Sequence, residues 1–171
     1  DRTRFLRFDA VVHSTSRAMG WLKRSAYTCN ECTHEWVIKE ALARARTKAE
    51  ACPMCIRKGI EMHMKGAKRE DLPDPRDIRM DLERNYYEDI QYVELFDPTC
   101  LSDEELPDDV PTITAVVSDE YVNQFSPGQC ITVNALIGVD HLPSRDYIRD
   151  TRRILRLDIH SVEEGFSLHE E

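Results

Sequence analysis

A mainly β fold is predicted by two properties of the sequence. Apolar and polar residues alternate over several short segments, and Pro- and Gly-containing turn signals separate these segments. A third feature, two Cys-x2-Cys pairs within 27 positions (29–55), indicates a small metal-bound insertion in that fold. A chain of 171 residues is long enough for one domain, or for a domain carrying a small subdomain, and its composition, with 41% hydrophobic and 32% charged residues, is typical of a globular protein. No apolar run approaches the roughly 20 residues of a membrane span.

The first half of the chain contains two predicted strands before the first cysteine pair, "FLRFDAVVHST" and "MGWLKRSAYTC". Between the pairs, "HEWVIKE" predicts a short strand. The following "EALARARTKAE" has helix-forming residues but no broad apolar stripe, which indicates an exposed basic excursion, helical or loop. After the second pair, Ile60, Met62 and Met64 alternate with polar residues and predict a returning strand.

The second half contains the remaining predicted strands. "NYYEDIQYVELF" alternates imperfectly, as a strand with a bulge does. "TITAVVSDEYVNQF" places Ile113, Ala115 and Val117 on one face and then enters a capped helical turn near Ser118. A Pro-Gly turn precedes the strand "QCITVNALIGV", and "TRRILRLDIHSV" is the last. Five or six strands, one short helix and an inserted ribbon favour a small closed barrel of the OB-fold type.

The four paired cysteines have the spacing of a zinc ribbon. The predicted ligands are Cys29, Cys32, Cys52 and Cys55. Two tight Cys-x2-Cys turns can supply a tetrahedral set of thiolates, which leaves no open position and therefore predicts a structural Zn²⁺. Two redox-active pairs and an iron site with the same ligands are the alternatives, and His34 is the one plausible substitute ligand.

Charge is distributed unevenly along the chain, whose net charge is −9. Residues 1–24 carry a net +4, residues 39–69 a net +6 and residues 141–156 a net +3, whereas residues 70–120 carry a net −14. The total argues against nucleic acid as a ligand, but three basic segments on one surface would bind phosphate backbones. The segment 96–111 is Pro- and Asp-rich and is predicted to be an exposed acidic loop.

The order of these features resembles the N-terminal region of archaeal minichromosome maintenance (MCM) replicative helicases. Three segments carry the resemblance, which spans about residues 5–163: "FDAVVHSTSRAMGWLKRSAYTCNEC", "DIQYVELFD" and "PTITAVVSDEYVNQFSPGQCITVNALIGV". Ala10, Thr112 and Ala135 depart from the family's usual Gly, Arg and Gly. The resemblance implies an OB-fold over residues 1–24 and 67–165, a zinc ribbon inserted at 25–66, and an acidic tail at 166–171.

The resemblance also implies where DNA is bound. Residues 140–153 would form a protruding β-hairpin in the central channel of a hexameric ring, and a second contact would lie on the barrel. The implied DNA-binding residues are Arg145, Arg149, Arg152 and Arg153 on the hairpin, and Arg17, Lys23 and Arg24 on the barrel. From charge alone, a solvated arginine-rich loop is the alternative. Trp21, Tyr86 and Tyr87 are predicted mainly as barrel core rather than as base-stacking platforms.

The predicted function is therefore the DNA-binding, ring-forming tier of a hexameric ATP-dependent DNA helicase. The 171 residues contain no GxxxxGK[ST] sequence, so we expect an excised part of a longer protein whose ATPase domain lies elsewhere. The expected location is intracellular, with chromosomal DNA in an archaeal cytoplasm or a nucleus. A zinc-ribbon adaptor that binds proteins and not DNA is the second hypothesis. A stand-alone enzyme is the third, although no nucleophile–base constellation is present.

Overall fold

A computed structural model describes residues 4–40, 48–101, 106–141 and 153–163. Within these ranges the chain forms seven strands, one α-helix and three short 3-10 turns. The strands are β1 Phe5–Thr15, β2 Met19–Cys29, β3 Glu35–Lys39, β4 Ile78–Phe96, β5 Ile113–Ser118, β6 Cys130–His141 and β7 Arg153–Glu163, the helix is α1 Pro53–Met64, and the turns are Arg69–Asp71, Pro98–Cys100 and Asp119–Tyr121.

The chain divides into two compact units. The barrel unit comprises Asp1–Gly20 and Asp89–Glu171, and the cysteine unit comprises Trp21–Glu88. The boundaries that the sequence implied, 1–24 with 67–165 for the OB-fold and 25–66 for the ribbon, stay a prediction.

The barrel unit has the strand connectivity of an OB-fold. Its hydrogen-bonded neighbours run β1–β6–β7–β5–β4, and β4 returns to pair with β1, which closes the barrel. The β5–β7 pair is parallel, while the other four pairings are antiparallel. Five strands closed in this order form the Greek-key OB barrel that the sequence predicted.

One apolar cluster fills the barrel, because alternate residues of each strand point inward. Its buried members are Ala10, Val12, Val93, Leu95, Ala115, Val117, Phe125, Ile131, Val133, Ala135, Leu157 and Ile159. Ala115 and Val117 are completely buried, and Ile113 packs against the cluster, so the predicted inward face of β5 is confirmed.

Two local predictions in the barrel unit need correction or refinement. The β1–β4 register shifts between Val12 and Ser14, which places a bulge in β1. The bulge predicted in β4 stays a prediction. The turn after β5 begins at Asp119 as predicted, but the Ser118 side chain makes no capping hydrogen bond. The turn is instead held by Gln91, whose Oε1 accepts from the Asn123 N–H at 2.9 Å.

The stem of a β-hairpin is formed by β6 and β7. Their pairing extends to His141 opposite Arg153, whereas β1 pairs with β6 only as far as Leu136. The end of the stem is therefore a two-stranded ribbon beyond the barrel in the part of the chain that the structure describes. The predicted hairpin tip and the acidic tail lie outside the described residues, as does most of the predicted basic excursion (41–47).

In the cysteine unit, β3 is confirmed and pairs with β2, with Tyr27 opposite Trp36. The predicted returning strand is wrong: α1 occupies Pro53–Met64. Pro53 stands at the first helical position, where its missing N–H costs nothing and its fixed φ favours a helix. Ile60 and Met64 are 57% and 82% exposed, so their alternation did not mark the buried face of a strand.

Candidate metal centre and nucleic-acid surface

Two turns of the cysteine unit bring the four paired cysteines together. Cys29 ends β2, and Cys32 lies in the turn that leads to β3. Cys52 immediately precedes α1, and Cys55 lies in its first turn. Their four sulfur atoms all lie within 4.8 Å of one another. The sequence spacing therefore identified a real cluster.

The distances between the sulfur atoms fit a tetrahedral metal ion. The Sγ atoms of Cys29 and Cys55 are 3.6 Å apart, as are those of Cys32 and Cys52. Four thiolates at about 2.3 Å from a central ion would have edges of about 3.8 Å. A disulfide requires about 2.05 Å, and all four cysteines have free thiols.

A backbone N–H group and burial have opposite effects on the pKa values of the clustered thiols. Cys29, Cys52 and Cys55 are buried, and Cys32 is half-buried. The His34 backbone N–H donates to the Cys32 sulfur and lowers its pKa. Burial raises the pKa of the Cys52 and Cys55 thiols. An ion must therefore displace protons from at least these two thiols when it binds.

Backbone hydrogen bonds hold the first cysteine turn. The Cys29 N–H donates to the His34 carbonyl oxygen at 3.0 Å, and the Thr33 N–H donates to the Cys29 carbonyl oxygen at 3.0 Å. Thr33 has a φ of +58°, in the left-handed region that tight turns require. The His34 ring stacks on Trp36 at 5.8 Å with an interplanar angle of 10°. Among the described residues, the side chains that lie close enough together to hold one metal ion are those of the four cysteines, and His34 is not among them.

This arrangement can hold one metal ion and is consistent with zinc. Four thiolates complete the coordination of a tetrahedral ion, so no position is left for water or substrate. Such an ion would be structural: it would join the β2–β3 turn to the start of α1.

Of the three DNA-binding residues that were predicted on the barrel, Arg17 belongs to the barrel unit, whereas Lys23 and Arg24 belong to the cysteine unit. Arg17 is exposed between β1 and β2. The Lys23 ammonium pairs with the buried Glu88 carboxylate at 2.6 Å, so part of its charge is already compensated. Arg24 is exposed, and its guanidinium lies 4.8 Å from the centre of the Tyr86 ring, a cation–π distance.

Of the predicted hairpin residues, Arg145, Arg149 and Arg152 lie outside the described residues. Arg153 begins β7 opposite His141. The arrangement of the four arginines therefore lies largely outside the described residues, and their role in DNA binding stays a prediction.

Sequence reasoning missed the exposure of two tyrosines. Tyr86 and Tyr87 are 44% and 58% exposed rather than part of the core. Arg24 lies opposite Lys39 on the neighbouring strand. Tyr86, Arg24 and Lys39 thus give the cysteine unit an aromatic and basic surface. The adjacency of two tyrosines was the available signal, because neighbouring residues of a strand point to opposite faces and cannot both enter one core.

A solved structure has the same fold as this chain. The crystal structure of the N-terminal domain of an archaeal MCM matches 95% of this chain with a TM-score of 0.66 and 16% sequence identity. The resemblance predicted from the sequence is confirmed at the level of the fold. The chain spans 56% of the length of that structure. No protein-family model matches the sequence, and no curated protein matches it.

None of the described helices is both long and apolar enough to cross a bilayer.

Proposed function

We propose that this chain is the DNA-binding and ring-forming N-terminal tier of a hexameric, ATP-dependent replicative DNA helicase. The observation that carries the proposal is the combination of an OB barrel with a four-cysteine cluster, in a fold that matches the N-terminal domain of an archaeal MCM. We expect the protein to act inside the cell, with chromosomal DNA, in an archaeal cytoplasm or a nucleus.

The metal in this proposal is a structural Zn²⁺ held by the four thiolates. Zinc prefers a tetrahedral sulfur set and undergoes no redox chemistry, which suits a site closed to substrate. The ion would then be bound by cysteines of this chain to stabilise its fold, and it would take part in no reaction.

DNA would be bound mainly through its phosphates. Four arginines of the predicted hairpin, at positions 145, 149, 152 and 153, would offer fixed positive charges without reading bases. Repetition of the hairpin around a ring would multiply a weak contact. On the cysteine unit, Arg24 above Tyr86 could add a stacking contact to an unpaired base. ATP hydrolysis would come from a P-loop domain outside these 171 residues, which contain no such motif.

The test is fluorescence anisotropy with labelled single-stranded DNA at several salt concentrations. Arg152→Ala with Arg153→Ala should weaken binding independently of DNA sequence and lower the salt slope by roughly one for each phosphate that the protein no longer neutralises. Arg76→Ala with Arg79→Ala is the matched control, because it removes two exposed arginines from the acidic segment of the sequence.

If the two double variants reduced DNA affinity equally, the predicted hairpin would have no special role in DNA binding. Failure of the unaltered protein to bind at low salt would favour the second candidate, a protein-binding adaptor. That candidate is supported by the net charge of −9 and by the acidic segment 96–111.

A further inference from the structure

The barrel is closed along only part of β1. In the β1–β4 pairing, Val11 is the first residue of β1 that faces β4, and the pairing continues to Thr15. On its other side, β1 pairs with β6 from Phe5 to Val11. In the described part of the chain, the edge of residues 5–10 that faces away from β6 therefore has no strand beside it.

The direction of the backbone groups follows from the hydrogen bonds at both ends of β1. The Val12 N–H donates to the Gln129 carbonyl at 2.9 Å, and the Arg4 carbonyl accepts from the Ile137 N–H at 3.1 Å, so even-numbered residues bond towards β6. Successive residues of a strand point their N–H and C=O groups to opposite edges. The N–H and C=O groups of Arg7 and Asp9 therefore point to the open edge, and both residues are exposed.

A groove of about 350 Å³ adjoins this open edge. Its apolar lining includes Phe8, Leu95, Pro111 and Ile113. Among the described residues, no strand pairs with these backbone groups. An open strand edge beside an apolar groove is the arrangement that accepts an extended peptide as an additional strand.

Charge identifies the kind of peptide. Asp9 and Asp97 both line the groove. Asp97 accepts hydrogen bonds from the N–H and hydroxyl of Thr99, which lower its pKa and keep it ionised. Asp9 accepts from the Thr132 hydroxyl at 2.6 Å. The described residues 106–111, which end at the groove-lining Pro111, add the exposed Asp108 and Asp109 and contain no Lys or Arg.

We propose that the open edge of β1 and its groove bind an extended, basic and apolar segment of a partner protein by β-strand addition. The backbone of the partner would pair with Arg7 and Asp9. Its apolar side chains would enter the groove, and its Lys or Arg side chains would lie near Asp9 and Asp97.

Residue-resolved amide exchange by NMR tests this pairing. In the protein alone, the amides of Phe8 and Ala10 should exchange slowly and those of Arg7 and Asp9 rapidly. Addition of a short peptide of alternating Val and Lys should slow Arg7 and Asp9 selectively. The same peptide N-methylated at alternate residues cannot donate to the edge, and we expect it to bind at least about tenfold more weakly.

Protein variants test the charge requirement. Asp9→Asn with Asp97→Asn keeps the side-chain acceptors but removes both charges, and should weaken peptide binding about fivefold at low salt. Asp119→Asn with Glu120→Gln changes net charge equally at an exposed turn and should leave binding unchanged.

Three results would overturn the proposal. Slow exchange of Arg7 and Asp9 in the protein alone would mean that the edge is already covered. Protection that grows with protein concentration in the absence of peptide would mean pairing with a second copy. Equal binding of the plain and N-methylated peptides would exclude strand addition.

Discussion

The two units of the molecule are stabilised by different physical means. The barrel unit buries a cluster of twelve residues drawn from all five of its strands and the turn before β6. The corresponding cluster of the cysteine unit consists of Cys29, Cys52 and Cys55, with Cys32, Trp36 and Ile78 packed against it. In the barrel, stability comes from apolar area removed from water.

In the part of the chain that the structure describes, the cysteine unit has only a small hydrophobic core. The described residues within 21–88 contain one small buried cluster around the cysteines and a helix that buries a single residue, Cys55. Small units that bury so few apolar residues often depend on a metal or on disulfides for their stability. The proposed zinc should therefore stabilise the cysteine unit and have little effect on the core of the barrel unit.

The largest expected effect comes from removing a metal ligand. Cys55→Ser should abolish stoichiometric zinc binding and unfold the cysteine unit, because binding of structural zinc contributes about 10–16 kcal/mol at neutral pH. The NMR spectrum should lose dispersed signals from β2, β3 and α1 while signals from β6 and β7 remain. Zinc content is measured in parallel by elemental analysis after dialysis.

Cys130→Ser is the matched control for this substitution. Cys130 begins β6 and lies outside the group of four cysteines. Its substitution should therefore leave the zinc content at one ion per chain. Loss of zinc in both variants, or retention of zinc in Cys55→Ser, would contradict the proposed ligand set.

A core truncation should produce the opposite pattern. Leu157 is 1% exposed in the barrel core, and Leu157→Ala should cost about 2–5 kcal/mol of unfolding free energy, because it removes buried apolar surface and leaves a cavity. Zinc content should not change. Leu155, two positions earlier on β7, is 54% exposed, and Leu155→Ala should cost less than about 0.5 kcal/mol in the same denaturant titration. Equal costs would mean that the apolar cluster is not what stabilises the barrel.

A smaller effect is expected from the polar clamp of the barrel unit. Gln91 is 3% exposed, donates to the Ser16 carbonyl at 2.7 Å and accepts from the Asn123 N–H. Gln91→Met keeps the volume but leaves these backbone groups unpaired, which should cost about 1–3 kcal/mol in urea denaturation. Gln124→Met changes an exposed glutamine near the same turn and should cost almost nothing. Similar losses of unfolding free energy in Gln91→Met and Gln124→Met would show that the Gln91 hydrogen bonds do not stabilise the barrel unit.

Much of this architecture was predictable because its signals are local. The spacing of the cysteines fixed the ligand cluster, since a Cys-x2-Cys turn can approach an ion in few ways. Ile113, Ala115 and Val117 alternate, and their inward face is confirmed. The closing pair β1–β4 joins residues about 80 positions apart and followed only from the strand order and the resemblance.

The errors have physical causes in particular residues. Ile60, Met62 and Met64 alternate like a strand, but they belong to a largely exposed helix, where no core imposes the helical period. Pro53 at the helix start was the stronger signal. Tyr86 and Tyr87 were assigned to the core because aromatic residues are usually buried, whereas β4 continues beyond the barrel unit into the cysteine unit.

X-ray absorption at the zinc edge tests the central claim, that four thiolates organise the cysteine unit around one ion. The purified protein should give a single shell of four sulfur atoms at about 2.3 Å from zinc. A shell that includes nitrogen or oxygen, such as His34 or water, or protein that contains no zinc and has oxidised cysteines, would contradict it.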